Sequence, residues 1–282
     1  MKTAINGVNY YYQWLTDYEA NRPTLVCLHG FTGMSQTFVP VFQRDRDRNI
    51  LAIDLIGHGQ TDSYVHPYRY QMECLCQDIA LLTEQLGISK FSLLGYSMGA
   101  RVALGFTCLF PQKIQKLLLE SGSPGLKSKT ERMTRKCSDE HLAGFIMSHS
   151  IEAFVDKWEK LSLFDSQKQL SCKIQATLRK ERLSQQAFGL ACSLWFMGTG
   201  VQPDFWQELD KIEIPTLLIV GELDHKFQRI AQNMQEKQQN MSIKIVKNAG
   251  HCVHLEKPEI VEEVVYSFLI SYTDQLMGNN KI

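Results

Sequence analysis

Gly95-Tyr96-Ser97-Met98-Gly99 restricts this chain more than any other stretch of it. The apolar run KFSLLGYS (90–97) reads as a buried strand, and MGARVALGFTCLF (98–110) as the helix leaving it, halted before Pro111. A serine on so sharp a strand-to-helix turn needs a strained backbone. Side chains at the two flanking glycine positions would collide with the neighbouring strand and helix. The pattern therefore predicts that Ser97 is lifted above a sheet at the positive end of a helix.

The rest of the chain supplies that sheet. TLVCLHG (24–30), NILAIDLIGHG (49–59), KIQKLLLESG (113–122), IPTLLIVGELD (214–224) and SIKIVKNAG (242–250) are short apolar runs closed by turn residues, the signature of buried strands. Helical patterns lie between them, over Met72–Leu86 with Gly87 as a stop, and over Pro258–Ile270. GVNYYYQWL (7–15) predicts a hairpin with the residues before it. Strands alternating with helices predict an α/β class with a mostly parallel central sheet covered on both faces. Together with the elbow this is the α/β-hydrolase fold. Residues 124–205 break the rhythm: they are amphipathic, helical in pattern and basic, and hold no buried-strand run. The expected organisation is a core of residues 1–123 and 206–282 with a helical lid of residues 124–205 over the strand ends, where ligands bind in open sheets.

A nucleophile elbow implies an acid and then a histidine, each just past a later strand. Asp224 ends one such run and His251 ends the next, so the expected triad is Ser97, Asp224 and His251. His254 is expected to contact the lid, His58 to line the mouth of the site, and His29 to support its loop; Glu222 is the weaker candidate for the acid. HGFTG (29–33) follows the strand that contributes the second oxyanion donor, so the backbone N–H groups of Phe31 and Met98 are the expected pair.

Thirty basic residues balance thirty acidic ones, which argues against nucleic acid or an anionic membrane surface as a partner. No apolar stretch reaches the roughly 18 residues that crossing a bilayer requires. The N-terminal residues lack a signal-peptide pattern. The eight cysteines show no metal or disulfide spacing and are expected to be reduced thiols, so no metal and no cofactor is expected. A cytoplasmic protein, a monomer or weak homo-oligomer, fits these features.

The arginines narrow the substrate. Arg101 lies one helical turn after Ser97 and can face the same cleft. Residues 124–200 hold 12 lysines and arginines against 8 acidic residues in a chain that is neutral overall. A guanidinium fork binds carboxylates in bidentate fashion, so a small anionic substrate is expected.

LHGFTG at 28–33, GYSMGAR at 95–101, ESGSPGL at 120–126, GELDHKF at 221–227 and AFVDKWEKLSLF at 153–164 carry a resemblance over nearly the whole chain. The chain resembles the 2-succinyl-6-hydroxy-2,4-cyclohexadiene-1-carboxylate (SHCHC) synthases, the MenH family of menaquinone biosynthesis. The resemblance implies a lyase that removes a ring proton from a substrate with several carboxylates and expels pyruvate. Ser97 would then act as base in place of forming an acyl-enzyme, with His251 and Asp224 behind it. It further implies substrate contacts from Tyr96, Arg101, Arg135, Trp158, Arg179, Lys226 and Phe227. Arg132 is a rival to Arg135 and Arg182 to Arg179. Ala100 stands where many relatives carry glycine. The alternative reading of the same triad is a serine hydrolase: a carboxylesterase, thioesterase or C–C bond hydrolase.

Overall fold

The computed structural model describes residues 1–45 and 47–270. Asn6 and Gly7 both adopt positive φ, +49° and +81°, and make the tight turn that joins β1 (Lys2–Ile5) to β2 (Val8–Trp14). The expected hairpin is therefore present, and its Asn-Gly corner is a signal that the aromatic run overshadowed. The six following strands are β3 (Thr24–Leu28), β4 (Asn49–Ile53), β5 (Phe91–Tyr96), β6 (Ile114–Glu120), β7 (Thr216–Gly221) and β8 (Met241–Val246). They form one sheet in the order β1-β2-β4-β3-β5-β6-β7-β8. Pairing is antiparallel from β1 to β4 and parallel from β4 onward.

Each strand is shorter than its apolar run, because the last residues of every run leave the ladder to become the loops above it. Alternate strand residues serve opposite faces, as the two-residue period demands. Val26, Leu28, Leu51 and Ile53 join one apolar cluster, while Leu25, Cys27, Ile50 and Ala52 join the other. The first cluster is covered by α1 (Met72–Gln85) and α2 (Met98–Leu109).

Between β6 and β7 the chain leaves the sheet through α3 (Lys129–Ser148), α4 (Ile151–Trp158), α5 (Cys172–Leu183) and α6 (Ala187–Met197), with no strand among these described residues. A capping box starts α3, Ser128 accepting from the Glu131 amide while the Glu131 carboxylate accepts from the Ser128 amide. Three of the four helices, α3, α4 and α6, hold a small apolar cluster built on Ala143, Ile146, Phe154, Val155, Leu190 and Leu194, against which Leu183 of α5 packs. They are seated on the core through α6. Gly189 lies so close to the loop after β4 that a Cβ there would stand 2.1 Å from the Gly57 carbonyl oxygen. No other residue fits that contact.

After β7 come α7 (His225–Lys237), then β8, the single turn α8 (Val253–Glu256) and α9 (Pro258–Ile270). Val261, Val265 and Leu269 of α9 close the second apolar face. Among the described residues no helix is long and apolar enough to cross a membrane. All eight cysteines are free thiols.

Candidate active site

Ser97 sits between β5 and α2 with φ +51° and ψ −104°. Such a conformation costs a non-glycine residue about 1–3 kcal/mol and persists only where the surroundings enforce it. Here they do: a Cβ at Gly99 would stand 2.1 Å from the Leu28 carbonyl oxygen, and one at Gly95 2.3 Å from the Gly99 carbonyl oxygen. The turn is pulled tight against β3 and its own helix, and the serine side chain is the part left facing outward.

His251 and Asp224 meet it. Ser97 Oγ lies 2.9 Å from His251 Nε2, and His251 Nδ1 lies 2.7 Å from Asp224 Oδ2. Both partners are buried. The second Asp224 oxygen caps α7 by accepting the Phe227 amide at 3.2 Å, so the carboxylate is fixed at both ends. With Nδ1–H donating to Asp224, Nε2 keeps its lone pair for the Ser97 hydroxyl. Glu222 instead accepts the Asn248 amide and braces the loop below. The ring of Phe227 packs at 4.6 Å from that of His251.

The loop after β3 stands opposite. His29 is fully buried: Nε2 accepts the Leu55 amide, and Nδ1 donates to the Gly30 carbonyl. Burial pushes its pKa down to about 4, so the ring is a neutral strut for the Gly30–Gly33 segment. The backbone N–H of Met98 belongs to the first turn of α2, where no carbonyl of the helix can take it. Phe31 lines the same opening, and its ring packs edge-on against Trp158 at 5.2 Å. His58 differs from expectation. It is buried with Nδ1 on the Ile56 carbonyl and its ring packed between those of His29 and Phe31, and it does not line the opening.

Above the serine lies a cavity of about 460 Å³, floored by the strand loops and walled by α3 to α6. Tyr96, Ser97, Met98, Arg101, Arg135, Trp158, Lys226, Phe227 and His251 all line it. Asp224 stands behind His251, outside the cavity. Arg101 donates to the Met197 carbonyl and to Gln202 Oε1, and burial together with Arg135 lowers its pKa to about 10. It remains charged at neutral pH. Arg135 is steadied by Asp139 at 2.8 Å, whereas Arg132 turns to the Leu126 carbonyl and does not line the cavity.

Arg179 is a correction. It pairs with Asp156 and Glu159 on the outer side of α4 and does not reach the cavity. Arg182, three residues on, lines it instead, buried and held by Glu159, Gln167 and the face of Phe164. Glu159 pairs with both arginines, and Asp156 of α4, which pairs with Arg179 alone, makes the difference; it becomes visible only once α4 and α5 are packed. Glu181 also lines the cavity, its pKa pushed up to about 7 by burial.

His254 is the other correction. Its hydrogen bonds run under the floor and not to the lid, with Nδ1 2.9 Å from Glu120 Oε1, its own amide donating to the same oxygen, and Nε2 beside Thr37 Oγ1. Burial opposes its charge, yet Cys252 and Glu120 outweigh that and raise its pKa well above the usual value. This buried pair ties the His251 loop to β6, the strand whose Glu120 carbonyl also accepts the Ser97 amide. Glu256 adds a second tie, accepting the Gly250 amide with one oxygen and the Ser166 hydroxyl of the helical insertion with the other.

A serine on an elbow, hydrogen-bonded to a histidine that a carboxylate holds, lies under a cavity lined by Arg101, Arg135 and Arg182; such a group can move a proton. Residues 23–258 match the α/β-hydrolase-fold family model, and the chain belongs to that family. A Bacillus subtilis (strain 168) protein provisionally named 2-succinyl-6-hydroxy-2,4-cyclohexadiene-1-carboxylate synthase is 42% identical over 88% of this chain and 90% of its own length. A synthase of the same name from Serratia proteamaculans is 28% identical over 90% of this chain and 95% of its own. The solved structure of MenH from S. aureus superposes with a TM-score of 0.85 at 34% identity, covering 92% of this chain and 97% of that one. Within the fold, the chain is a member of the MenH family of SHCHC synthases, which are carbon–oxygen lyases.

Proposed function

We propose that this protein eliminates pyruvate from 2-succinyl-5-enolpyruvyl-6-hydroxy-3-cyclohexene-1-carboxylate to give SHCHC in menaquinone biosynthesis. The observation that carries the reading is the charge of the cavity: Arg101, Arg135 and Arg182 converge above Ser97, where a tricarboxylate would need them. Ser97 Oγ takes the ring proton next to the succinyl ketone while its own proton passes to His251 Nε2. The freed electron pair forms a double bond between C2 and C3, the existing C3–C4 double bond shifts to C4–C5, and the C5–O bond to the enolpyruvyl group breaks. The departing enolate takes up a proton to become pyruvate. Asp224 stabilises the imidazolium, and the Phe31 and Met98 amides stabilise negative charge on the ketone oxygen.

Tyr96, Trp158, Lys226 and Phe227 would shape the cavity around the ring and its substituents. Residues 124–205 would act as the lid of a core made of residues 1–123 and 206–282, excluding water from the reactive enolate. A cytoplasmic enzyme without cofactor fits this chemistry. The test is direct: supply the enolpyruvyl substrate and follow pyruvate through lactate dehydrogenase and NADH. Pyruvate formation that requires Ser97 is the expected result.

The 2.9 Å contact between Ser97 and His251 would equally serve a hydrolase. Rapid turnover of a short-chain chromogenic ester with a trapped Ser97 adduct, and no pyruvate from the enolpyruvyl substrate, would establish that reading instead.

A further inference from the structure

Buried polar atoms in a folded protein are nearly always hydrogen-bonded, so those left without a partner mark places where something is missing. Among the described residues, four such side-chain atoms belong to residues lining the cavity above Ser97: Trp158 Nε1, Arg182 Nε, Asp139 Oδ2 and Ser193 Oγ. Their chemistry divides them. Trp158 Nε1 and Arg182 Nε can only donate, and they suit the carboxylates of the substrate. Asp139 Oδ2 can only accept. Ser193 Oγ can do either.

Asp139 does not fit a cavity that merely collects anions. One of its oxygens holds Arg135, but the other is buried against Gly198, where a Cβ would stand 2.6 Å from it. A carboxylate brought to that oxygen would be repelled; a group with a proton to give would satisfy it. Ser193 stands on α6, the helix that packs against the α3 of Asp139, and both side chains are almost wholly buried. Both residues line the cavity on packed helices, and a hydroxyl that reached the two would donate to Asp139 and accept from Ser193.

We infer that Asp139 and Ser193 form a hydroxyl-binding subsite on the α3–α6 wall of the cavity. This rests on the reading under Proposed function, whose substrate carries a single hydroxyl, on the ring. The subsite would receive that hydroxyl while the arginines hold the carboxylates, and so fix which ring face meets Ser97. A site built to hydrogen-bond a hydroxyl discriminates strongly against the analogue that lacks it, because its own buried groups are then left unpaired.

Titration calorimetry with trans-2-hydroxycyclohexane-1-carboxylate and cyclohexane-1-carboxylate tests the subsite without turnover. The wild-type protein should bind the hydroxylated ring about tenfold or more tightly. In Ser193→Ala and in Asp139→Asn that ratio should fall to about one. Ser193→Ala should also keep or slightly raise the melting temperature, since it removes a buried hydroxyl that has no partner in the free protein. Asp139→Asn retains an oxygen for Arg135 but offers an amide where the acceptor was. A wild-type ratio near one, or a ratio unchanged in both variants, would overturn the inference. Absence of pyruvate release with an intact hydroxyl preference would overturn only the proposed reaction.

Discussion

The floor and the roof of the cavity are built on different terms. In the floor every reactive side chain already has its partner: Ser97 has His251, His251 has Asp224, and His254 below has Glu120. In the roof, Trp158, Arg182, Asp139 and Ser193 each keep a buried polar atom unpaired. The floor comes from loops tied to a parallel sheet, and the roof from four helices with a small core of their own. The lesson is a division of labour. Under the proposed function, proton transfer would be pre-arranged by the fold, whereas recognition would be left for the substrate to complete.

Substitutions in the floor should remove chemistry and spare affinity. Ser97→Ala should lower the rate of pyruvate release by about 10³-fold or more, with KM and melting temperature little changed. A loss appearing mainly in KM would put Ser97 in binding and break the comparison. Roof substitutions should do the reverse. Arg182→Ala should raise KM by about 10- to 100-fold, since it strips a buried charged donor from the substrate. Arg179→Ala should change KM by less than about threefold, because its pairs lie on a solvated face. Steady-state kinetics on the two variants side by side decides between neighbours that share a helix.

A smaller effect sharpens the electrostatics of the roof. Glu181 lies near Arg182, His254 and Asp54, and burial raises its pKa to about 7. Below that pH it is neutral; above it, a negative charge enters the cavity proposed to hold carboxylates. KM should therefore rise severalfold between pH 6 and pH 8, and Glu181→Gln should flatten the rise. Stability follows the same sign. The folded state holds a proton on Glu181 that the unfolded chain releases near pH 4.5, so stability falls as pH climbs from there through about 7. In melting scans Glu181→Gln should gain roughly 2 °C on wild type at pH 8 and nothing at pH 4.

The same contrast explains what could be read from residues alone. Strand runs, the elbow and the succession of acid and histidine depend on local pattern and chain order, and Asp224 and His251 stand where that order puts them. The final helix likewise starts at Pro258, where its pattern predicts, and runs through Ile270, the last described residue. Arg179 and Arg182 are three residues apart and share a helix face, so only the docking of α4, whose Asp156 pairs with Arg179 alone, separates them. His254 was illegible for another reason. Its partner Glu120 is 134 residues away and looks, in the run KIQKLLLESG, like the polar end of a strand. The hydroxyl-binding pair was hidden too, since a serine in an apolar helix gives no sign of which way it faces.

The elbow is carried by β5, whereas the acid and the base follow β7 and β8, the last two strands on that side of the sheet. On a ribosome the nucleophile strand and all four roof helices are made before either residue that activates the serine. Under the proposed function, a nascent chain would acquire its cavity walls first and would stay chemically inert until its final strand is laid against the edge. Catalytic competence would then report on completed synthesis of the whole sheet.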